Sequence, residues 1–204
     1  MNSELTPLEL DALKEIFNIG IGRSASAMNQ MVSEEVELTI PEVSLISHQQ
    51  AKTKLISKNT GTVSAVTQDY RGDFSGQAML MFSQDKGLTL VRKLLGEDIP
   101  LASLSDLEQD SLVEIGNIIL NACFGTIINF LKADMEIDLP RFIQGTVEEI
   151  YKPVVDSEWS LYIEVSFSLP SDNINGYISF LMDIRSLEVF KNSVKNFVSN
   201  LSAA

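Results

Sequence analysis

Apolar residues recur at intervals of three or four in two long stretches of this chain, one near its start and one just past its middle. Such intervals place side chains on one face of an α-helix. Both stretches are therefore predicted to be long amphipathic helices. The predicted apolar stripes are Leu8, Ala12, Ile16 and Ile19 in the first helix and Leu107, Ser111, Ile115 and Ile118 in the second.

After each helix the apolar positions alternate with polar ones, which is typical of a β-strand with one buried face. The clearest strand is Trp159–Leu169, in which every odd position is apolar, and its counterpart is the less regular stretch Thr62–Gln68. Turn-forming residues predict loops at Asp69–Asp73 and Pro170–Asn175. Further strands are predicted at Val36–Ile40, Gly76–Phe82, Met135–Leu139 and Gly176–Met182, and shorter helices at Gly87–Leu95 and Leu187–Leu201.

The two halves of the chain repeat one another. The segments that begin at Thr6 and Ser105 align without a gap at an offset of 99, and each half reads helix, several strands, helix. The join between the halves is short and lacks the composition of a linker. We therefore expect one α+β domain over 1–204, made of two repeats (about 5–96 and 104–201) with pseudo-twofold symmetry. Its two long helices are expected to pack on a shared, mainly antiparallel sheet.

Each long helix has a start signal in the sequence. Thr6 with Glu9, and Ser105 with Glu108, have the spacing of a capping box. In that motif a hydroxyl and a carboxylate satisfy backbone N–H groups that the first turn leaves unpaired. Pro7 suits the first helical position, where the missing N–H costs nothing. Both helices are therefore predicted to begin in these segments.

Composition narrows the functional classes. The chain has 15 Lys and Arg against 28 Asp and Glu, a net charge of −13, which disfavours binding to nucleic-acid phosphates. No run reaches the roughly 18 to 20 apolar residues of a membrane helix, and the first residues lack signal-peptide features. A cytoplasmic location is therefore expected. Cys123 lies among apolar residues and is expected to be a buried hydrophobe rather than a reactive thiol.

The same polar residue types occupy one stripe of each long helix. Residues at i, i+4 and i+7 fall within about 60° of one another around a helix. Two interpretations stay open at this point: a duplication has kept solvent-facing polar positions, or these residues carry function. Asparagine is a mediocre helix former, so helix stability does not explain its presence in both copies. The two sets are Asp11, Glu15 and Asn18, and Asp110, Glu114 and Asn117.

Other catalytic systems have little support in the sequence. His48 is the only histidine, and its polar neighbours predict a surface position, which disfavours a histidine-activated nucleophile. No zinc pattern or phosphate-binding loop is legible, and Gly20-Ile-Gly22 is interpreted as room for close helix packing. Carboxylate and carboxamide side chains are then the groups expected to carry out the chemistry. An asparagine amide can orient a water by donating and accepting at once, and a nearby glutamate can hold a cation.

The full pattern, Asp-x3-Glu-x2-Asn-x22-Pro, resembles the signature of the CheC/CheX/FliY phosphatases of bacterial chemotaxis. It occurs twice, and the two copies end at Pro41 and Pro140. Within that family the two-copy arrangement is most similar to CheC. CheX-type members keep one site per chain, and FliY-type members carry a flagellar-switch extension that we do not find in this sequence.

The resemblance implies a phosphatase that hydrolyses the aspartyl phosphate of a CheY-type response regulator. By analogy, Asn18 and Asn117 orient the attacking water, while Glu15 and Glu114 pair with the receiver's active-site lysine. The chain then needs no cofactor or metal of its own, because Mg²⁺ belongs to the receiver. The receptor deamidase CheD is a further candidate partner, since some members of the family bind it.

The remaining motif positions carry structural expectations. Asp11, Asp110, Pro41 and Pro140 are expected to shape the helix and the following turn. Asn121 lies on the same stripe as Asn117 and is interpreted either as a helper of Asn117 or, in preference, as a solvated side chain. The first helix is rich in small residues after Asn18 whereas the second is bulkier, so the two sites need not be equally active. The alternatives are a non-catalytic module that binds the phosphorylated receiver, a flagellar-switch-like interaction protein, and a metal-dependent hydrolase.

Overall fold

The alternating segments become strands of one sheet, and the amphipathic segments become helices against it, in a computed structural model that describes residues 5–31, 35–95, 106–152, 159–169 and 172–202. Within these residues the architecture is α+β, as predicted. The helices are α1 (Pro7–Met31), α2 (His48–Lys58), α3 (Gln84–Leu95), α4 (Asp106–Leu131), α5 (Val147–Ile150) and α6 (Ile184–Ser202). The strands are β1 (Glu37–Ser47), β2 (Thr62–Gly72), β3 (Gly76–Ser83), β4 (Met135–Ile137), β5 (Arg141–Thr146), β6 (Trp159–Leu169) and β7 (Asp172–Met182).

All of these strands belong to one antiparallel sheet, in the order β1-β6-β7-β3-β2-β4, with β5 beside β4 on the free edge of β2. The central pair, β3 with β7, joins the two halves of the chain. On either side, each half lends its first strand to the other half: β1 pairs with β6, while β4 and β5 pair with β2. This arrangement is what a twofold axis between β3 and β7 produces, so the shared antiparallel sheet is confirmed. The division of the sequence into two repeats stays a prediction.

Pro41 and Pro140 mark the same break in the two edge strands. In β1 the pairing register shifts between Thr39 and Glu42, on either side of Pro41. In the second half, Pro140 lies in the gap between β4 and β5. Proline has no N–H to donate to a ladder, so it is confined to edges, bulges and strand ends. Both motif prolines therefore have a place in the architecture of the sheet.

Helices cover both faces of the sheet. Apolar side chains of α1, α3, α4 and α6 form the larger core with one face. The shorter α2 and α5 cover a smaller core on the other face. In the larger core, Phe17 of α1 and Phe124 of α4 both pack against Phe180, with ring centroids 5.8 and 5.3 Å away. The two long helices are thus anchored to the same strand, β7.

The buried faces of α1 and α4 differ from the predicted stripes. Leu8 is 61% exposed and Leu107 is 59% exposed, and only Ile16 and Ile115 of the stripes are buried. The predicted stripes are offset from the buried faces because each helix contacts a neighbouring helix as well as the sheet. These two contacts together bury side chains next to the predicted stripe. Several buried positions correspond between the helices at the offset of 99. Among them are Leu13, Ile16, Phe17, Ile21 and Met28 in α1, and Leu112, Ile115, Gly116, Leu120 and Ile127 in α4.

The two glycines predicted to allow close packing behave differently. A Cβ on Gly20 would lie 3.0 Å from the backbone oxygen of Ala122, so α1 and α4 approach closely there. A Cβ on Gly22 would meet nothing within 4 Å. The packing interpretation is confirmed for Gly20 and wrong for Gly22, which faces open space.

The start of α1 is capped as predicted. The backbone N–H of Thr6 donates to Glu9 Oε2 at 2.7 Å, and the N–H of Glu9 donates to Thr6 Oγ1 at 3.3 Å. In the second copy Ser105 lies outside the described residues. Its expected partner Glu108 is buried and accepts a hydrogen bond from Arg92 Nε at 2.5 Å. The matching glutamates therefore have different surroundings.

Both predicted loops are largely strand. β2 continues to Gly72 because Tyr70 is buried and Asp69 accepts hydrogen bonds from Gln77 Nε2, at 2.8 Å, and from Arg141. β7 begins at Asp172, so residues 172–175 of the second predicted loop are strand, and 170–171 lie outside the described residues. The strand Trp159–Leu169 is confirmed with both ends in place.

One helix among the described residues, α4, is long and apolar enough to cross a membrane by length and composition. No uninterrupted apolar run of that length occurs in α4, since polar residues such as Asn117 and Asn121 interrupt it, but they leave its mean hydropathy high. Half of the most apolar window of α4 is buried inside the fold. Its buried residues, including Ile119 and Phe124, belong to the larger core.

Candidate functional site

The two motif triads lie along α1 and α4, outside the buried faces of these helices. In each triad the aspartate and the glutamate are exposed and the asparagine is half-buried. Since i, i+4 and i+7 fall on one face, each triad forms a continuous polar stripe bordering the core. We call Asp11, Glu15 and Asn18 site 1, and Asp110, Glu114 and Asn117 site 2.

The glutamates of the two sites are free to receive a partner. Within the described residues, the carboxylates of Glu15 and Glu114 make no hydrogen bond and no ion pair. An exposed carboxylate accepts only, and it binds an ammonium or guanidinium group through charge-assisted hydrogen bonds. Each site therefore offers one unoccupied anionic group about one helical turn from an amide.

The asparagine of site 2 belongs to a chain of amide hydrogen bonds. Asn121 Nδ2 donates to Asn117 Oδ1 at 2.6 Å. Asn121 Oδ1 in turn accepts from Gln68 Nε2 at 3.4 Å, and Gln68 Nε2 also donates to the backbone oxygen of Asp138 at 3.3 Å. Gln68 is 1% exposed, on β2 beneath α4. We call Asn117, Asn121, Gln68 and the Asp138 carbonyl the amide relay.

The asparagine of site 1 has different neighbours. Asn18 makes no side-chain hydrogen bond within the described part of the chain, and Gly22 stands where the second helix has Asn121. One turn before Asn18, Lys14 Nζ donates to the backbone oxygen of Pro41 at 3.2 Å. The lysine ties α1 to the break in β1.

Site 1 also borders an apolar groove that opens beside Glu15. The groove has a volume of about 410 Å³ and runs between α1, the end of α4 and α6. The exposed part of the predicted apolar stripe forms one wall. Its lining residues are Leu8, Ala12, Glu15, Ile16, Ile19, Phe130, Phe197 and Val198.

His48 is not on the surface, so that prediction was wrong. The side chain is 8% exposed and stacks on Tyr151, with ring centroids 4.7 Å apart, at the start of α2. Its polar neighbours belong to the helix start, where Ser47 and Gln50 form a capping box. Burial lowers the pKa of His48, and the nearby Lys52 cation lowers it further. The imidazole lies under α2, on the face of the sheet opposite the motif helices.

Other reactive groups do not extend the sites. Cys123 is fully buried, as predicted, and burial raises its pKa to about 12, which keeps the thiol protonated. Among the described residues no cluster of three or more histidine, cysteine, aspartate or glutamate side chains could hold a metal ion. The chemistry available at sites 1 and 2 is therefore that of carboxylates and amides.

Sequence reasoning missed one residue at site 2 and left the role of another open. Asn121 is exposed, as the favoured interpretation predicted, and its amide also contacts Asn117. Gln68 had no assigned role, although a glutamine at the end of an apolar strand segment signals a buried polar group that needs partners. The pairing itself depends on how α4 lies across β2, which sequence spacing does not give.

Comparison with known proteins agrees with the motif. Residues 64–164, which include site 2, match the family "Chemotaxis phosphatase CheX". The chain is 24% identical over 204 residues to the flagellar motor switch phosphatase FliY of Bacillus subtilis, covering 98% of this chain and 52% of that protein. It is 26% identical over 141 residues to the CheY-P phosphatase CheC of the same organism, covering 65% of each. These matches support membership of the CheC/CheX/FliY family, as the motif predicted.

Solved structures of the family share the fold. Thermotoga maritima FliY superposes with a TM-score of 0.76 at 16% identity, covering 95% of this chain and 98% of that one. A chain of the CheX-CheY-BeF3-Mg²⁺ complex from Borrelia burgdorferi gives a TM-score of 0.52 at 20% identity, covering 80% of this chain and 96% of that one. The chain spans about half of the length of the Bacillus FliY protein. Identities to FliY and CheC are similar, so the assignment to the CheC branch stays a prediction.

Proposed function

We propose that this chain is a phosphatase that hydrolyses the aspartyl phosphate of a CheY-type response regulator in chemotaxis signalling. The observation that carries the proposal is the repeated pair of an unengaged, exposed glutamate and an asparagine about one turn away, on two helices of one fold. The names of the FliY and CheC relatives, both phosphatases, support it. The cytoplasmic location expected from the sequence is part of this proposal.

The asparagines are proposed to act on the attacking water. An amide donates and accepts at once and does not titrate, so Asn18 and Asn117 can hold a water in line with the phosphorus at any physiological pH. Hydrolysis of an acyl phosphate passes through a loose transition state, in which positioning and charge stabilisation contribute most. A nucleophile from this chain is not needed for that reaction.

The glutamates are proposed to dock the receiver. Glu15 and Glu114 are exposed and unengaged among the described residues, so each can accept a charge-assisted hydrogen bond from the receiver's active-site lysine. This contact would place the neighbouring asparagine next to the phosphoryl group. Mg²⁺ is proposed to belong to the receiver, in line with the composition of the CheX-CheY-BeF3-Mg²⁺ complex.

The decisive experiment follows the decay of a phosphorylated CheY-type receiver, in Mg²⁺, with a substoichiometric amount of this protein. Wild type is expected to accelerate decay over many turnovers. Asn18→Ala and Asn117→Ala should each remove part of the activity. The double variant should lose about 10²-fold or more, the effect of removing a positioned polar group from a reacting centre.

A matched control uses Asn129→Ala, which changes an exposed asparagine on another face of α4. This variant should retain wild-type activity, and circular dichroism should show that the double variant is folded. Full activity in the folded double variant would contradict the mechanism. Unchanged or slowed decay by wild type would instead indicate a module that binds the phosphorylated receiver without hydrolysing it.

A further inference from the structure

Site 2 contains a network of side-chain hydrogen bonds that extends beyond the three motif residues. The amide relay runs from the backbone oxygen of Asp138 through Gln68 and Asn121 to Asn117, with two of its links at 3.3 and 3.4 Å and the last at 2.6 Å. Gln68 is buried on β2, whereas Asn121 is exposed on α4. The relay thus connects the protein interior to the proposed catalytic amide.

The direction of every hydrogen bond in the relay is set at its inner end. A backbone carbonyl only accepts, so Gln68 must turn its NH₂ group toward Asp138. The same NH₂ group then donates to Asn121 Oδ1, which leaves Asn121 Nδ2 facing Asn117. Asn117 consequently accepts at Oδ1 and presents its own NH₂ group outward. The fold thereby selects one of the two orientations of the Asn117 amide.

The relay is not the arrangement that stability alone would select. Gln68 Oε1 is buried and has no hydrogen-bond partner among the described residues, while both N–H donors of that amide point along the relay. Buried polar atoms are nearly always paired, so an unpaired one calls for an explanation. A hydrophobic residue of the same size would avoid the unpaired oxygen but could not orient Asn121.

We propose that Asn121 and Gln68 are positioning residues of site 2, which fix the orientation of the Asn117 amide before the receiver binds. This inference rests on the proposed function and deepens it. Site 1 has no such device, since Gly22 occupies the position that corresponds to Asn121. Asn18 is therefore ordered only when a receiver is present, and the two sites differ in the rate of the chemical step.

The kinetic test isolates site 2 in an Asn18→Ala background and compares Asn121→Ala, Gln68→Met and the pair. Each single change should lower kcat roughly 2- to 12-fold, the range that one neutral hydrogen bond controls, with little change in KM for the phosphorylated receiver. The pair should lose no more than the worse single change, because both break the same relay. Gln68→Met removes the unpaired oxygen, so its melting temperature should not fall.

A second readout does not depend on activity. In the free protein, the side-chain ¹⁵NH₂ group of Asn117 should show a high order parameter by NMR, and that order should fall in Asn121→Ala but not in Asn129→Ala. Unchanged kcat and unchanged order would overturn the positioning role while leaving the proposed function intact. An Asn18→Ala protein that is folded, has an ordered Asn117 and yet lacks activity would overturn site 2 as a catalytic centre, and this inference with it.

Discussion

Sites 1 and 2 have the same three residues but different supports. At site 1, Lys14 donates to the backbone oxygen of Pro41 at 3.2 Å. At site 2 the position that corresponds to Lys14 is Val113, and the connection to the edge strands passes through Gln68 to the Asp138 carbonyl. Each motif helix is thus tied to backbone near its motif proline by unrelated groups. The comparison shows that the two copies keep the exposed polar stripe while the contacts behind it have diverged.

The same divergence appears at the starts of the two helices, and it gives the largest expected effect on stability. Glu9 and Glu108 correspond at the offset of 99. Glu9 closes an exposed capping box, whereas Glu108 is buried against Arg92. Glu108→Ala should lower the free energy of unfolding by about 3–5 kcal/mol, because it removes one partner of a buried ion pair. Glu9→Ala should cost only about 0.3–1.5 kcal/mol.

Urea denaturation of both variants beside wild type measures this difference. The double change Arg92→Met with Glu108→Leu serves as the control, since replacing both charged partners by apolar groups is often close to neutral. Equal losses for Glu9→Ala and Glu108→Ala would show that the two helix starts are equivalent in energy despite their different surroundings.

The next effect concerns how closely each helix approaches the sheet. Gly116 corresponds to Phe17, and a Cβ added to Gly116 would lie 2.5–2.7 Å from three side-chain carbons of Val66. Gly116→Ala should therefore destabilise the protein by about 1–3 kcal/mol through overpacking. Gly125→Ala on the same helix meets nothing within 4 Å and should gain up to about 1 kcal/mol in helix propensity. Thermal denaturation of the two alanine variants tests the contrast, and a stabilised Gly116→Ala would contradict the close approach.

The sequence predicted the parts of this fold that local periodicity determines. The odd apolar positions of Trp159–Leu169 gave that strand with both ends, and Thr6 with Glu9 gave the start of α1. The face of α1 that is buried was not predicted correctly, because it depends on the packing of α1 against both α4 and the sheet. Leu8, a member of the predicted apolar stripe, is 61% exposed and lines the groove beside Glu15.

The candidate sites, like the fold, were predicted only as far as local sequence spacing determines them. Helical spacing was enough to place each triad on one face, since i, i+4 and i+7 are local relations. The relay through Gln68 joins residues 53 positions apart in sequence and depends on the crossing of α4 over β2. The strand exchange between the halves, β1 with β6 and β5 with β2, likewise depends on long-range pairing that periodicity does not specify.

The smallest expected effect distinguishes the two helices on the opposite face of the sheet. His48 and Val147 correspond at the offset of 99, and both are buried at the first position of a capped helix, α2 or α5. Burial and the Lys52 cation lower the pKa of His48 below its ordinary value of 6.5, whereas Val147 does not titrate. The unfolded chain therefore binds a proton at this position more readily than the folded chain does.

The sign of the pH dependence follows from that difference. Well above pH 6.5 the imidazole is neutral in both the folded and the unfolded state, so His48 does not make stability depend on pH. Below pH 6.5 the unfolded state binds a proton first, so the free energy of unfolding falls as the pH drops toward the pKa of the folded state. His48→Val, which imports the residue of the second copy, should make the free energy of unfolding fall less steeply between pH 7 and about 5. Urea titrations at several pH values measure the difference in slope between variant and wild type, and the slope is unaffected by any constant packing cost of the smaller side chain. Identical slopes would mean that His48 is protonated equally in both states, and the burial beside Tyr151 would then have no electrostatic consequence.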